Sequence, residues 1–192
     1  DTGPSFARQI AAPYLTAAQL EVPIIVPMRV ERFPAQDIYT KAAETLSHHL
    51  DAGSDVAVLC EGDPFFYGSF MHLYARLEGV VPVRVVPGIT GMSGAWTVSG
   101  TPITWGDDML TVLMATLPEE DLARRIRDTD ALAVMKVGRN LPKLRRAVAA
   151  AGREDEAWLV EYATMPEERV TRLRDASDAT PYFSILLIHG QG

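Results

Sequence analysis

Apolar residues recur at helical spacing in several parts of the chain. The apolar positions from Ile38 to Leu50 lie four residues apart, and Gly53 follows them, so this pattern predicts a helix that ends at the glycine. The alanine-rich residues 5–20 are compatible with a helix as far as Pro13. Further helices are predicted over residues 70–77, 91–100, 119–127 and 141–151.

Other apolar segments have the pattern of strands. Residues 55–60 (DVAVLC) form a continuous apolar run, which is typical of a strand buried in a parallel sheet. Residues 22–30 contain two prolines and predict an edge strand. Further strands are predicted over residues 80–86, 109–115, 131–137, 157–163, 169–173 and 182–189. This alternation predicts an α/β protein with mainly parallel sheets. The stretch at residues 100–106, which contains proline and glycine, divides the pattern into two α/β lobes, residues 1–103 and 104–192.

Composition narrows the classes of function. The 192 residues are 47% hydrophobic and 22% charged, which is typical of a globular protein. A net charge of −7 argues against a nucleic-acid partner, and no apolar run approaches the roughly 20 residues needed to cross a membrane. The single cysteine, Cys60, excludes an internal disulfide and a cysteine-rich zinc site, and it is consistent with a reducing cytoplasm.

Three predicted strands end in turns that contain glycine or proline, at residues 60–64, 86–91 and 136–140. Ligands of open α/β sheets bind outside the carboxyl ends of the strands, and glycine there lets the main chain approach a ligand. Each turn taken alone is more simply a strand-to-helix connection. Three consecutive aromatic residues, Phe65, Phe66 and Tyr67, follow the first turn and cannot all point inward, so one of them is expected to face a cleft.

Several common motifs are absent from the sequence. It contains neither the glycine fingerprint of dinucleotide-binding proteins nor the phosphate loop of nucleotide hydrolases, and it has no G-x-S-x-G nucleophile turn. His48 and His49 are adjacent on one predicted helix and cannot both face one ion. We therefore predict no metal site.

Several of these segments resemble the tetrapyrrole (corrin/porphyrin) methylases. The resemblance rests on residues 60–71 (CEGDPFFYGSFM), 86–95 (VPGITGMSGA) and 181–190 (PYFSILLIHG), supported by residues 113–118 (LMATLP), 137–140 (VGRN) and 162–164 (YAT). It covers the chain from Ser5 onward and is strongest for the branch that methylates precorrin-2 at carbon 20 in cobalamin biosynthesis. The family begins with a strand and a Gly-x-Gly-Pro-Gly-Asp-Pro loop, and this chain is expected to lack them because nothing similar precedes Asp1.

The resemblance implies a bilobal α/β homodimer that binds S-adenosylmethionine in the cleft between its lobes and releases S-adenosylhomocysteine. It implies that the cofactor contacts are Gly62, Asp63, Phe66, Thr90, Gly91, Met114, Ala115, Val137, Ala163, Tyr182, Phe183 and Ser184. The family more often has alanine at the position of Gly91. No catalytic base is identified, and Glu61 and Tyr67 are candidates only because they flank the cofactor turn.

The implied tetrapyrrole substrate carries many carboxylates, which arginine recognises in a bidentate manner. The candidates for this role are Arg8, Arg29, Arg32 and Arg139, and each is equally well explained as a solvated surface charge. Three alternatives remain open at this point. They are the cobalt-containing form of the same substrate, another methyltransferase of this fold that acts on uroporphyrinogen-III, diphthine or ribosomal RNA, and a non-catalytic module that binds tetrapyrrole or nucleotide.

Overall fold

A computed structural model of the protein describes residues 5–26 and 36–192. The chain forms two compact units, of which the first is Asp1–Ile89 and the second is Thr90–Gly192. This division falls earlier than the lobe boundary predicted at residues 103 and 104. The second unit includes residues 90–103 because they are tied to its sheet, for example by the Gly190 N–H, which donates to the Ile103 carbonyl at 2.9 Å.

The regular secondary structure in the described part of the first unit consists of helices. Helices α1 (Phe6–Ala11), α2 (Gln36–Asp51) and α3 (Phe70–Leu77) match three predicted helices. A short 3-10 turn at Ala12–Tyr14 follows α1, where Pro13 prevents the helix from continuing. Helices α2 and α3 share one apolar cluster, made by Tyr39, Ala42, Leu46, Leu73 and Leu77.

The predicted strands of the first unit are wrong for the described residues. Residues 22–26, 55–60 and 80–86 form no ladder in this part of the chain, and residues 27–30 of the expected edge strand lie outside it. Val81 and Val83 instead pack against the cluster of α2 and α3. Two of the apolar residues in 80–86 therefore contact helices, whereas Val80 and Val86 are exposed, and residues 55–60 pair with no described strand.

The second unit is built on a five-stranded sheet. Its elements are α4 (Gly91–Val98), β1 (Leu110–Met114), α5 (Glu119–Arg127), β2 (Ala131–Met135), α6 (Leu141–Ala150), β3 (Ala157–Glu161), β4 (Arg169–Arg172) and β5 (Ser184–Ile188). Short 3-10 turns lie at Gly138–Asn140 and Leu173–Asp175. The strand order is β1-β2-β5-β3-β4.

The sheet is mixed, so the prediction of mainly parallel sheets is wrong here. Strand β1 is parallel to β2, whereas β5 is antiparallel to both β2 and β3, and β4 is antiparallel to β3. The physical reason is the connection after β3. The chain reverses directly into β4 without a crossover helix, and β5 then inserts between β2 and β3 in the opposite direction. The α/β class itself is confirmed.

The two faces of the sheet bury different residues. Leu132 and Val134 of β2 point towards α5 and α6, where they join Ile126 and Leu144 in the larger core. Ala133 alternates with them and lies in the smaller core on the side of α4. Among the described residues, no helix is both long enough and apolar enough to cross a membrane.

Candidate functional site

The Asp63 side chain joins two turns of the first unit. Its Oδ1 accepts the Phe65 N–H at 2.9 Å, and its Oδ2 accepts the Gly88 N–H at 3.0 Å. Both carboxylate oxygens are thus engaged by main-chain donors within the protein. Asp63 therefore fixes the relative position of the two turns that the sequence analysis assigns to the cofactor.

The second of these turns requires glycine at residue 88. A Cβ atom built on Gly88 would lie 2.0 Å from the carbonyl oxygen of Gly62, which is far inside van der Waals contact. Gly62 itself has φ of +68°, a left-handed conformation that glycine adopts without steric cost. The main chains can therefore approach this closely only because Gly88 lacks a side chain, while glycine at residue 62 allows the left-handed conformation of the first turn.

The aromatic residues after the first turn face different surroundings. Phe65 packs edge-on against Tyr74 with ring centroids 4.8 Å apart, while Phe66 packs edge-on against Tyr67 at 4.9 Å. Phe65 and Tyr67 are about half exposed, at 47% and 46%. Tyr67 has φ of +53°, a conformation that costs energy for a residue with a side chain.

Thr90 begins the second unit by capping helix α4. Its Oγ1 accepts the Ser93 N–H at 3.3 Å and lies 2.9 Å from the Ser93 hydroxyl. Gly91 is the first residue of α4, and a Cβ atom there would meet Ile185 at 3.6 Å, an ordinary contact. A small side chain would fit at this position, in contrast to Gly88.

The proposed contacts that follow β1 and β2 differ in exposure. Met114 ends β1 and is half-buried, whereas Ala115 and Val137 have no exposed surface. The Ala115 N–H donates to the Met135 carbonyl at 2.9 Å. Ala115 and Val137 can therefore serve a ligand by shaping the end of the sheet rather than by presenting a side chain.

The segments that follow β3 and precede β5 lie side by side. The Tyr162 N–H donates to the Phe183 carbonyl at 2.8 Å, and Tyr182 is 62% exposed. Ala163 lies near helix α4, because a Cβ atom on Gly94 would be 3.9 Å from the Ala163 Cβ. Main-chain groups of both segments thus meet at one end of the sheet in the second unit.

Two charged or hydroxyl residues at this place were missed by the sequence analysis. Glu161, the last residue of β3, is only 3% exposed, and it accepts a hydrogen bond from the Thr180 hydroxyl at 2.7 Å. The sequence could have indicated Glu161, because a glutamate at the end of an otherwise apolar strand is unusual. Thr180 lies in a polar loop and carried no such signal.

The four candidate substrate arginines have different surroundings. Arg8 makes two hydrogen bonds to Glu21, at 2.7 and 2.9 Å, and this contact raises the pKa of Arg8 and lowers that of Glu21. Arg139 lies in the turn after β2 and is exposed. Arg29 and Arg32 lie outside the described residues.

Cys60 and the histidines show no sign of a reactive site. Burial raises the pKa of the Cys60 thiol, and the neighbouring Glu61 raises it further, so the thiolate is disfavoured at neutral pH. Within residues 5–26 and 36–192, no three histidine, cysteine, aspartate or glutamate side chains are grouped closely enough to hold a metal ion.

Comparison with known proteins identifies the family of the chain. The family model for the Tetrapyrrole (Corrin/Porphyrin) Methylases matches residues 2–176. The chain belongs to this family. The tetrapyrrole methylase membership expected from the turns and from the last strand is therefore confirmed.

Three curated relatives align with most of the chain. A precorrin-2 C(20)-methyltransferase from Sinorhizobium sp is 47% identical over 95% of this chain and 78% of its own length. The cobalamin biosynthesis protein CobIJ from Mycobacterium tuberculosis is 41% identical over 98% of this chain, which spans only 39% of that longer protein. A cobalt-precorrin-2 C(20)-methyltransferase from Salmonella typhimurium is 28% identical over 98% of this chain and 81% of its length.

Solved structures share the tetrapyrrole methylase fold. Cobalt precorrin-4 methyltransferase CbiF superimposes with a TM-score of 0.69 at 21% identity, covering 79% of this chain and 70% of its own. A uroporphyrin-III C-methyltransferase from Thermus thermophilus, solved in complex with S-adenosylhomocysteine, gives a TM-score of 0.60 at 24% identity, covering 78% and 72%. These likenesses establish the fold.

Proposed function

We propose that this tetrapyrrole methylase transfers a methyl group from S-adenosylmethionine to carbon 20 of precorrin-2, giving precorrin-3A in cobalamin biosynthesis. The observation that carries the proposal is the 47% identity to the Sinorhizobium enzyme over 95% of this chain and 78% of that protein. The use of S-adenosylmethionine is supported by the family and by the S-adenosylhomocysteine found in the Thermus relative.

The described residues fit such a cofactor in each unit taken by itself. In the first unit, the close contact between Gly62 and Gly88 and the Asp63 side chain hold together the two turns that we assign to the cofactor. In the second unit, the exposed Tyr182 offers an aromatic face suited to a flat base, next to Phe183, whose carbonyl accepts the Tyr162 N–H. We assign these groups to binding and orientation.

The reaction mainly requires the protein to position the two reactants. S-adenosylmethionine, when bound, supplies a methyl group that its positively charged sulfur has already activated. Transfer breaks the sulfur–methyl bond and forms a carbon–carbon bond to an electron-rich carbon of the macrocycle, which then releases a proton. The residues must hold the acceptor carbon in line with the breaking bond and keep competing water away. Such positioning needs no nucleophilic side chain, which agrees with the disfavoured thiolate of Cys60.

A second candidate substrate is the cobalt-containing form of precorrin-2. The observation that favours it is the 28% identity to the Salmonella enzyme, over 98% of this chain. The higher identity to the Sinorhizobium enzyme favours the metal-free substrate.

One assay distinguishes these possibilities. The purified chain is incubated with methyl-labelled S-adenosylmethionine and either metal-free precorrin-2 or its cobalt-containing form, and mass spectrometry scores one added methyl group. We expect product with the metal-free substrate. Product only with the cobalt form would show that the enzyme methylates the cobalt-containing substrate. No product, with S-adenosylhomocysteine nevertheless bound in calorimetry, would contradict the proposed substrate, and failure to bind S-adenosylhomocysteine would favour a non-catalytic module.

We also propose that the protein is a cytoplasmic homodimer. A single cysteine supports a reducing compartment, and family resemblance supports the dimer. Light scattering on a sizing column should give about twice the 21.0 kDa mass of the chain, and the monomer mass would contradict this assembly.

A further inference from the structure

A buried carboxylate lies between the two main-chain segments that we assign to the cofactor in the second unit. Glu161 is 3% exposed, and it pairs across the ladder with Ser184 of β5, which is equally buried. A buried carboxylate is costly unless its oxygens are hydrogen-bonded or ion-paired. The hydrogen-bond and ion-pair partners of Glu161 therefore indicate its role.

Each oxygen of Glu161 contacts one side chain among the described residues. Arg169 Nη2 lies 2.7 Å from Oε2, and the arginine side chain is 58% exposed, so it reaches the carboxylate from the surface. The Thr180 hydroxyl donates to Oε1 at 2.7 Å. The carboxylate is thus ion-paired with Arg169 through Oε2 and hydrogen-bonded to Thr180 through Oε1.

Thr180 extends this contact to β5. Its Oγ1 lies 2.7 Å from the Ser184 hydroxyl, which is also 2.7 Å from the Pro181 carbonyl. Because an ionised carboxylate can only accept, the one proton of Thr180 is directed to Glu161, and Ser184 is left to donate to Thr180 or to Pro181. Thr180 therefore stands between the carboxylate of β3 and the hydroxyl of β5.

The main chain held by this network is in an uncommon conformation. Tyr162 and Thr164 have φ of +50° and +64°, values that residues with side chains adopt only when their surroundings impose them. The Thr164 N–H donates to Glu168 at 2.7 Å, and the Tyr162 N–H donates to the Phe183 carbonyl at 2.8 Å. The Glu161–Thr180 contact adds a side-chain tie between the same two segments.

We propose that Thr180 is a positioning residue for S-adenosylmethionine. Through Glu161 and Ser184 it fixes residues 162–164 against residues 182–184, which carry four of the cofactor contacts that we assign, Ala163, Tyr182, Phe183 and Ser184. Thr180 acts without touching the cofactor. The inference rests on the proposed function, because it concerns the same cofactor.

The chain offers a matched control for its test. Thr171, on β4 of the same sheet, has a buried hydroxyl with no hydrogen-bond partner among the described residues. Thr180→Val and Thr171→Val therefore make the same isosteric change, but only the first removes a hydrogen bond. Thr180→Ser restores the hydroxyl and should restore the unaltered behaviour.

Calorimetry with S-adenosylhomocysteine and steady-state kinetics are measured on the full chain and its variants. We expect Thr180→Val to raise the Kd for S-adenosylhomocysteine and the KM for S-adenosylmethionine by about tenfold, because residues 162–164 and 182–184 would then have to be ordered when the ligand binds. We expect kcat at saturating cofactor to stay within about twofold, and Thr180→Ser and Thr171→Val to match the unaltered chain.

The outcomes separate the two proposals. If the unaltered chain binds S-adenosylhomocysteine and Thr180→Val lowers Tm without changing Kd, the residue is structural and this inference is overturned. Failure of the unaltered chain to bind the ligand would overturn the proposed function, and this inference with it. Should Thr180→Val not fold, Thr180→Ala removes the same hydroxyl with a smaller side chain, and an unchanged Kd there would likewise overturn the inference.

Discussion

Gly88 and Gly91 differ in whether the surrounding structure leaves space for a side chain. Gly88 faces the carbonyl oxygen of Gly62, 2.0 Å from where its Cβ would be, whereas the nearest atom to a Cβ on Gly91 is a flexible Ile185 methyl group at 3.6 Å. Gly91 is also the first residue of a helix, where alanine is favoured over glycine. The two positions form a natural pair of substitutions.

Gly88→Ala is expected to lower the free energy of unfolding by about 2 kcal/mol or more, because a main chain must move to admit the methyl group. Gly91→Ala should leave it unchanged or raise it by up to about 1 kcal/mol. Urea unfolding followed by circular dichroism measures both. Equal stability of the two variants would contradict the close contact between Gly62 and Gly88.

Individual residues differ in how far the sequence predicts their roles. Asp63 is identified from its motif, but its hydrogen bond from the Gly88 amide depends on a turn 25 residues away. Thr180 depends likewise on Glu161, to which it comes close only when β5 pairs with β3. Such contacts between distant segments leave no periodic signal in a sequence.

Whole elements were more predictable than their pairing. Helices α2, α3 and α5 are found where the apolar spacing and the following glycine or basic residues predict them, and α5 runs over Glu119–Arg127 as expected. The direction of β5 was not predictable, since an apolar run reads the same in a parallel or an antiparallel strand. Residues 80–86 show the same limit, because packing against helices and pairing in a sheet both require apolar side chains.

His189 lies between β5 and the segment after α4, and its hydrogen bond to the Pro102 carbonyl joins the two. Burial lowers the pKa of His189, its hydrogen bond to the Pro102 carbonyl opposes this, and the charge of Arg172 lowers the pKa further. The unfolded chain therefore takes up the proton at a higher pH than the folded chain does. The contribution of His189 to stability is complete above about pH 6.5, and it is lost as the pH falls through the lowered pKa.

His189→Gln should therefore flatten the acid side of the stability profile. Urea midpoints of the unaltered chain and the variant, measured between about pH 5 and 8, should converge as the pH falls, because only the unaltered chain loses the contribution of His189. Curves that stay parallel across this range would show that the histidine titrates alike in the folded and unfolded chains.

At the scale of the molecule, the two units differ in how their cores are formed. The second unit buries apolar side chains on both faces of one sheet, with seventeen residues in the larger cluster and six in the smaller. The described first unit has a single cluster of five. This contrast indicates that the second unit is better able to fold independently.

We therefore expect a fragment of residues 90–192 to fold cooperatively by itself. Trp96, Trp105 and Trp158, which are all three tryptophans of the chain, lie in this fragment, so their fluorescence in urea follows it directly. As a control, Ile126→Ala in the fragment should cost about 2–5 kcal/mol, because Ile126 is fully buried. A gradual, non-cooperative change in fluorescence would contradict an independent core.

The central place of β5 has a consequence for synthesis on the ribosome. This strand pairs with β2 and β3, yet it follows both of them, and β4, in the chain. Strands β2 and β3 must therefore wait, with unpaired edges exposed, until residue 188 has emerged, a state that is prone to aggregation. Nascent chains that stall before this point carry two half-sheets with no strand to join them, which is the kind of surface that chaperones recognise.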